Sequence, residues 1–112
     1  MKKIEAIIRS SRFEEVKSAL SEADINFFTF TEVKGFGKQK GDHVVYRGAI
    51  YDIGYIARLS LQIIISNDRL EEALNVIRNA AYTGEIGDGK IIVTHIDDVI
   101  SIRTGKRNEE AL

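Results

Sequence analysis

The chain has 112 residues, enough for one domain, and its 16 Lys plus Arg nearly balance 17 Asp plus Glu, for a net charge of -1. With 44% hydrophobic and 29% charged residues it reads as a soluble globular protein, with no basic excess to mark nucleic acid as a partner. The lack of cysteine excludes disulfides and thiolate chemistry, and the apolar run Ile4, Ala6, Ile7 and Ile8 is too short for a signal peptide or a membrane span, so the expected location is the cytoplasm.

From the N-terminus, Ile4 to Arg9 predicts a short strand, and Ser11 with Glu14 three residues on is a capping-box signature for a helix beginning near Arg12. Phe13, Val16, Leu20 and Ala23 recur at helical spacing and leave Glu14, Glu15, Lys17 and Glu22 for solvent. Asn26 to Lys34 turns aromatic and β-branched, which favours a strand. The order then repeats. Over 56–65, Leu59, Leu61, Ile63 and Ile65 alternate with Arg58, Ser60 and Gln62 as in a half-buried strand. A helix starting at Asn67 or Asp68 carries the stripe Leu70, Ala73, Leu74, Ile77 and Ala81, with Gly84 as its expected stop, and Lys90 to Ile96 is the last strand. Strand, helix, strand twice over is the pattern of an α+β, ferredoxin-like βαββαβ sandwich, with helices on one face of a four-stranded antiparallel sheet. Thr29, Thr31, Arg58, Ser60 and Gln62 would line the other face. A small sheet open on one side calls for a partner surface, and self-association is the first expectation.

The chain has no proline, and its nine glycines fall at 35–54, 84–89 and 105. Between the halves, Gly35 to Tyr55 runs for 21 residues where a hairpin needs about two to five. Five glycines, the cations Lys38, Lys40 and Arg47 and the rings Tyr46, Tyr51 and Tyr55 suit a functional arm; a plain flexible hairpin is the other reading. The second loop, TGEIGDGK at 83–90, matches most of a P-loop, but Ile91 stands where that motif needs Ser or Thr, and the order is helix to strand. Glycines that let amides approach an anion, with Lys90 beside them, make it a candidate phosphate site. A glycine-terminated helix running into a turn accounts for the same residues. His43 and His95 have no ligand cluster around them, Asp97-Asp98 reads as a solvated turn or helix start, and Lys106-Arg107 with Glu109-Glu110 reads as a solvated tail.

Four segments, TEVKGFGKQKG at 31–41, YRGAIY at 46–51, TGEIGDGKI at 83–91 and IRTG at 102–105, resemble in order and spacing the PII nitrogen-signalling protein family, over nearly the whole chain. The resemblance implies one PII-like domain over 1–112, with a flexible signalling loop at 37–55, a phosphate loop at 82–90 and a C-terminal tail at 102–112. It implies a cytoplasmic homotrimer binding ATP or ADP in the clefts between neighbours, with 2-oxoglutarate beside MgATP. The long loop would control an ammonium transporter or nitrogen-assimilation enzymes or regulators. By position, Thr29 and the backbone at Ile64 would read the adenine, Gly35, Gly37 and Lys38 would border the nucleotide, and the amides of Gly87 and Gly89 with Lys90 and Arg103 would hold the phosphates. Ile7 and Asp88 complete the nucleotide set. Gln39 would help coordinate magnesium shared with 2-oxoglutarate, Lys40 and its neighbours would lie against that ligand, and Arg58 would pair with its distal carboxylate. Tyr51 corresponds to a tyrosine that some relatives uridylylate, and Arg47 to a loop-tip arginine that enters an ammonium channel. Such a protein is a regulator and not an enzyme. The alternative is a small ferredoxin-like enzyme, or the regulatory domain of one, with the loop as a lid.

Several positions depart from the family pattern, among them Ala49 where some relatives have a serine, Ile50 where a small or acidic residue usually precedes Tyr51, Ile92 where an aromatic is usual, and the bulkier pair Phe27-Phe28. Ser101 stands where many relatives have a second phosphate arginine, Arg58 where a lysine is common, Gln62 where a glutamate is common, and Ala57 where a proline often precedes position 58.

Overall fold

The computed structural model describes residues 1–36 and 57–112 in full and, between them, the backbone of 43–46, 49–52 and 55–56. In chain order the elements are β1 (Lys2–Arg9), α1 (Phe13–Glu22), β2 (Thr29–Phe36), β3 (His43–Tyr46), β4 (Ala49–Asp52), β5 (Tyr55–Ile65), α2 (Leu70–Ala81) and β6 (Gly89–His95). The strands β2, β5, β1 and β6 lie side by side in that order, every neighbouring pair antiparallel. This is the expected four-stranded sheet with two helices. β3 and β4 form a separate two-stranded ribbon, so part of the long connection carries paired backbone of its own.

The period of two along β1 sorts its side chains: Ile4, Ala6 and Ile8 are buried while Lys3, Glu5, Ile7 and Arg9 turn to the opposite face. β5 does the same with Leu59, Leu61, Ile63 and Ile65, and the helices close the core with Val16, Leu20, Ala73, Ile77 and Ala81. Each fully buried Ile, Leu or Val contributes roughly 1.5–3 kcal/mol of transfer free energy. Phe13 and Phe28 extend the core toward the β2 edge, where Phe13 meets the exposed Phe30 at 4.8 Å between ring centroids.

The helix ends differ from expectation in an orderly way. Ser11 makes no capping bond: Ser10–Arg12 form a 3-10 turn, and α1 begins only at Phe13. Asn67–Arg69 form the matching turn ahead of α2, so the start expected at Asn67 or Asp68 is a tighter turn and not α-helix. Gly84 is not the stop of α2 either. The helix ends at Ala81, Tyr82 is extended, and Gly84 sits in the following turn at φ +88°.

What holds both helix C-termini is a reciprocal pair of arginines. Arg12, in the turn before α1, donates from Nε and Nη2 to the Ala80 carbonyl near the end of α2, at 2.9 and 2.7 Å. Arg69, in the turn before α2, donates from Nη2 to the Ala23 carbonyl at the end of α1, at 2.6 Å. The repeat read in the sequence thus extends to a side-chain exchange, in which each half satisfies orphan carbonyls of the other and opposes a helix dipole with a cation. α1 closes further with Asp24 at φ +59° and the Ile25 amide bonded back to the Leu20 carbonyl at 2.8 Å.

The C-terminal residues are more ordered than a tail. Ile100 pairs with Arg107, the Asn108 amide reaches the Val99 carbonyl at 2.9 Å, and Arg107 meets Asp98 at 2.7 Å, closing a hairpin before the short turn Asn108–Ala111. Among the described residues, no helix is long and apolar enough to cross a membrane.

Candidate functional site

The face of the sheet away from the helices is laid out by register. Arg9 lies opposite Arg58, which lies opposite Val33; Ile7 is flanked by Lys90 and Ser60; Glu5 is flanked by Ile92 and Gln62, with Thr29 beyond Gln62; Lys3 is flanked by Thr94 and Ile64. Three cations remote in sequence, Arg9, Arg58 and Lys90, therefore gather at one end of one face. Directly opposed like charges destabilise a strand pair unless an anion lies between or beside them. Ser60 and Arg58 are buried, Arg58 at 9% exposure. At the other end the Gln62 amide donates to Glu5 at 3.3 Å.

Beside the cationic end lies the 83–90 loop, and its organiser is Asp88. One carboxylate oxygen accepts the amides of Thr83 and Gly84 at 2.8 and 2.9 Å; the other accepts Arg9 Nε at 3.0 Å and the Thr83 hydroxyl. The hydroxyl and amide of Thr83 are the main reason the Asp88 carboxyl is held well below the usual carboxylate range, and Arg9 and the Gly84 amide add to the effect. Arg9 also donates from Nη2 to the Ile86 carbonyl at 2.9 Å, so one guanidinium grips the loop at two points. Gly87 and Gly89 have φ of +101° and +106°, where only glycine is comfortable. At Gly89 a Cβ would also lie 1.8 Å from the Ile7 carbonyl oxygen, because β6 begins there hard against β1.

Two cavities border these residues. One of about 300 Å³ is lined by Ile7, Arg78, Tyr82, Asp88, Gly89 and Lys90. The other, about 550 Å³, is lined by Lys3, Phe27, Thr29, Gln62, Ile64 and the C-terminal Leu112, within the range of ligand pockets. The residues expected at a nucleotide therefore divide. Thr29 and Ile64 fall at the second cavity; Ile7, Asp88, Gly89 and Lys90 fall at the first. Along β1 the row of Lys90 is two residues from that of Thr29 and four from that of Ile64, about 7 and 13 Å. Arg103 stands exposed in the C-terminal hairpin, and Gly35 near the end of β2. Gly37, Lys38, Gln39, Lys40 and Arg47 lie outside the described residues, as does the side chain of Tyr51, whose backbone belongs to β4. Among the described residues, no group of three or more His, Cys, Asp or Glu could hold a metal ion.

Arg9 and Thr83 carry much of this site and were not evident in the sequence. Arg9 reads there as the last residue of a strand, and its partner Asp88 is 79 positions away.

A ferredoxin-like sandwich with a glycine-rich loop packed against a cationic sheet end is the class that fold and site define. The family described as nitrogen regulatory protein P-II matches residues 1–106, and the chain belongs to that family. It is 48% identical to a nitrogen regulatory protein P-II of Bradyrhizobium diazoefficiens and 46% identical to the nitrogen regulatory protein GlnK of Escherichia coli, each over 112 residues and the whole of both chains. A solved structure of Arabidopsis thaliana PII bound to citrate matches with a TM-score of 0.81 at 39% identity, covering 99% of this chain and 91% of that one. The relatives are named as regulatory proteins and not as enzymes.

Proposed function

We propose that this protein senses ATP or ADP together with 2-oxoglutarate and passes the result to nitrogen-assimilation targets through the segment 37–55. The observation that carries the reading is that Arg58 and Lys90 lie at the sheet end beside a loop whose glycines adopt positive φ and which Arg9 holds in place. Amides and cations so placed suit the phosphates of a nucleotide. The larger cavity at Thr29 and Ile64 would take the base. The nucleotide would lie in a cleft between neighbouring copies of a homotrimer. Arg58 would meet the distal carboxylate of 2-oxoglutarate, Gln39 would help hold the shared Mg2+, and Arg103 would reach the phosphates from the hairpin. That the Arabidopsis relative was solved with citrate, another polycarboxylate, supports a carboxylate effector. Magnesium joining two anions that otherwise repel is the physical reason their binding would be coupled. Arg47 and Tyr51, on the signalling segment, would face an ammonium transporter or a nitrogen-assimilation enzyme or regulator in the cytoplasm.

Titration calorimetry with ATP, ADP and MgATP plus 2-oxoglutarate tests the reading: nucleotide should bind, and 2-oxoglutarate only in the presence of MgATP. Absence of nucleotide binding at millimolar concentration overturns it. Gln39→Ala should weaken 2-oxoglutarate more than ADP; equal losses contradict the magnesium role.

A further inference from the structure

A carboxylate in the middle of a phosphate-binding loop is electrostatically awkward. At the separation of neighbouring residues two negative charges repel by several kcal/mol wherever water is partly excluded. In this loop Asp88 sits between Gly87 and Gly89, the two glycines whose amides are the candidate phosphate donors. Its oxygens are turned back onto Thr83, Gly84 and Arg9. Arg9 is the only one of these partners that carries charge, and the same guanidinium holds the Ile86 carbonyl, the last carbonyl before Gly87. Its side chain is about a quarter exposed, as is that of Asp88, so the pair is partly shielded from solvent.

We infer that Arg9 is a positioning residue for anion binding: it cancels the Asp88 charge inside the loop and, through Ile86, sets the direction of the Gly87 amide. This inference rests on the functional reading above and adds to it a residue that touches no ligand. The two effects have different chemical requirements. Charge cancellation needs only a cation near Asp88, whereas the simultaneous grip on Asp88 and Ile86 needs the fork of a guanidinium. A lysine at position 9 would retain the first and lose the second.

The test is calorimetric titration of the full chain with ATP and, separately, with adenosine, which lacks the phosphates. Arg9→Gln should weaken ATP at least tenfold and change adenosine by less than about twofold, with Arg9→Lys between wild type and Arg9→Gln. The double variant Arg9→Gln/Asp88→Asn should recover part of the ATP affinity, since removing the carboxylate removes the charge that Arg9 had to cancel. A purely structural role predicts the reverse, with equal losses for ATP and adenosine and a double variant worse than either single one; that result overturns the inference. So does ATP affinity equal in wild type and Arg9→Gln. Should Arg9→Gln not fold, Arg9→Lys decides alone: unchanged ATP affinity overturns the two-point grip, and a loss confined to ATP supports it. A wild-type protein that binds neither ATP nor inorganic tripolyphosphate overturns the functional reading, and this inference with it.

Discussion

At the residue scale the loop depends on two positions with opposite requirements. Gly89 must be glycine, because a side chain there meets both a positive φ and the Ile7 carbonyl oxygen. Gly89→Ala should therefore destabilise the protein by at least about 1–3 kcal/mol and detach the start of β6 from β1; chemical denaturation and hydrogen exchange at Ile7 and Ile8 would show it, and an unchanged midpoint would refute the close approach. Asp88 must be ionised, because it accepts from two amides at once. Its carboxyl is held below the ordinary range in the folded protein, so its contribution is full above the unfolded pKa and is lost only as pH falls through the lower folded value. The Thr83 and Gly84 amide proton shifts should accordingly stay flat from pH 7 to about 4, where ordinary carboxylates begin to titrate. An inflection of either amide in the ordinary carboxylate range would contradict the arrangement.

At the scale of elements the pairing of helices by Arg12 and Arg69 stands out, because it links the two halves through groups that neither half satisfies alone. The capping box expected from Ser11 and Glu14 does not form, since the residues ahead of each helix wind into a 3-10 turn that carries the arginine across to the other helix. Arg12→Ala should lose about 1.5 kcal/mol, the low end for a charge-assisted hydrogen bond at a partly exposed site, and a few degrees in Tm, and Arg69→Ala should lower Tm in the same direction. Thermal melts of both variants test this, and Tm values unchanged within about one degree would show that water replaces the guanidinium without cost. Arg12 also steadies the end of α2, just ahead of the 83–90 loop.

At the scale of the whole molecule, the helices among the described residues pack on one face of the sheet, and the residues of the other face are more exposed. Ile64 and Ile92 are 42% and 43% exposed there, on rows shared with Lys3 and Glu5. Partial apolar exposure on a sheet face fits burial against further copies of the chain. Sedimentation equilibrium should give the mass of three chains. Ile92→Glu, which sets a second carboxylate beside Glu5, should shift the mass toward one chain; a monomeric wild type, or a variant that remains a trimer, would contradict association through this face.

The sequence by itself determined the alternation that buries Ile4, Ala6 and Ile8, the stripe of α2, the doubled strand-helix-strand order and the family, because periodicity and short motifs are local properties of a chain. It also singled out Lys90, Arg58 and the glycines of the 83–90 loop, though not their arrangement. Only the tertiary structure decided that Arg9 and Arg58 are cross-strand neighbours, that Arg9 anchors Asp88 and Ile86, and that Thr29 and Ile64 line one cavity while Asp88, Gly89 and Lys90 line another. Those relations depend on strand register and on side chains that meet from opposite ends of the chain, and no local pattern encodes which distant partner a charged group will find.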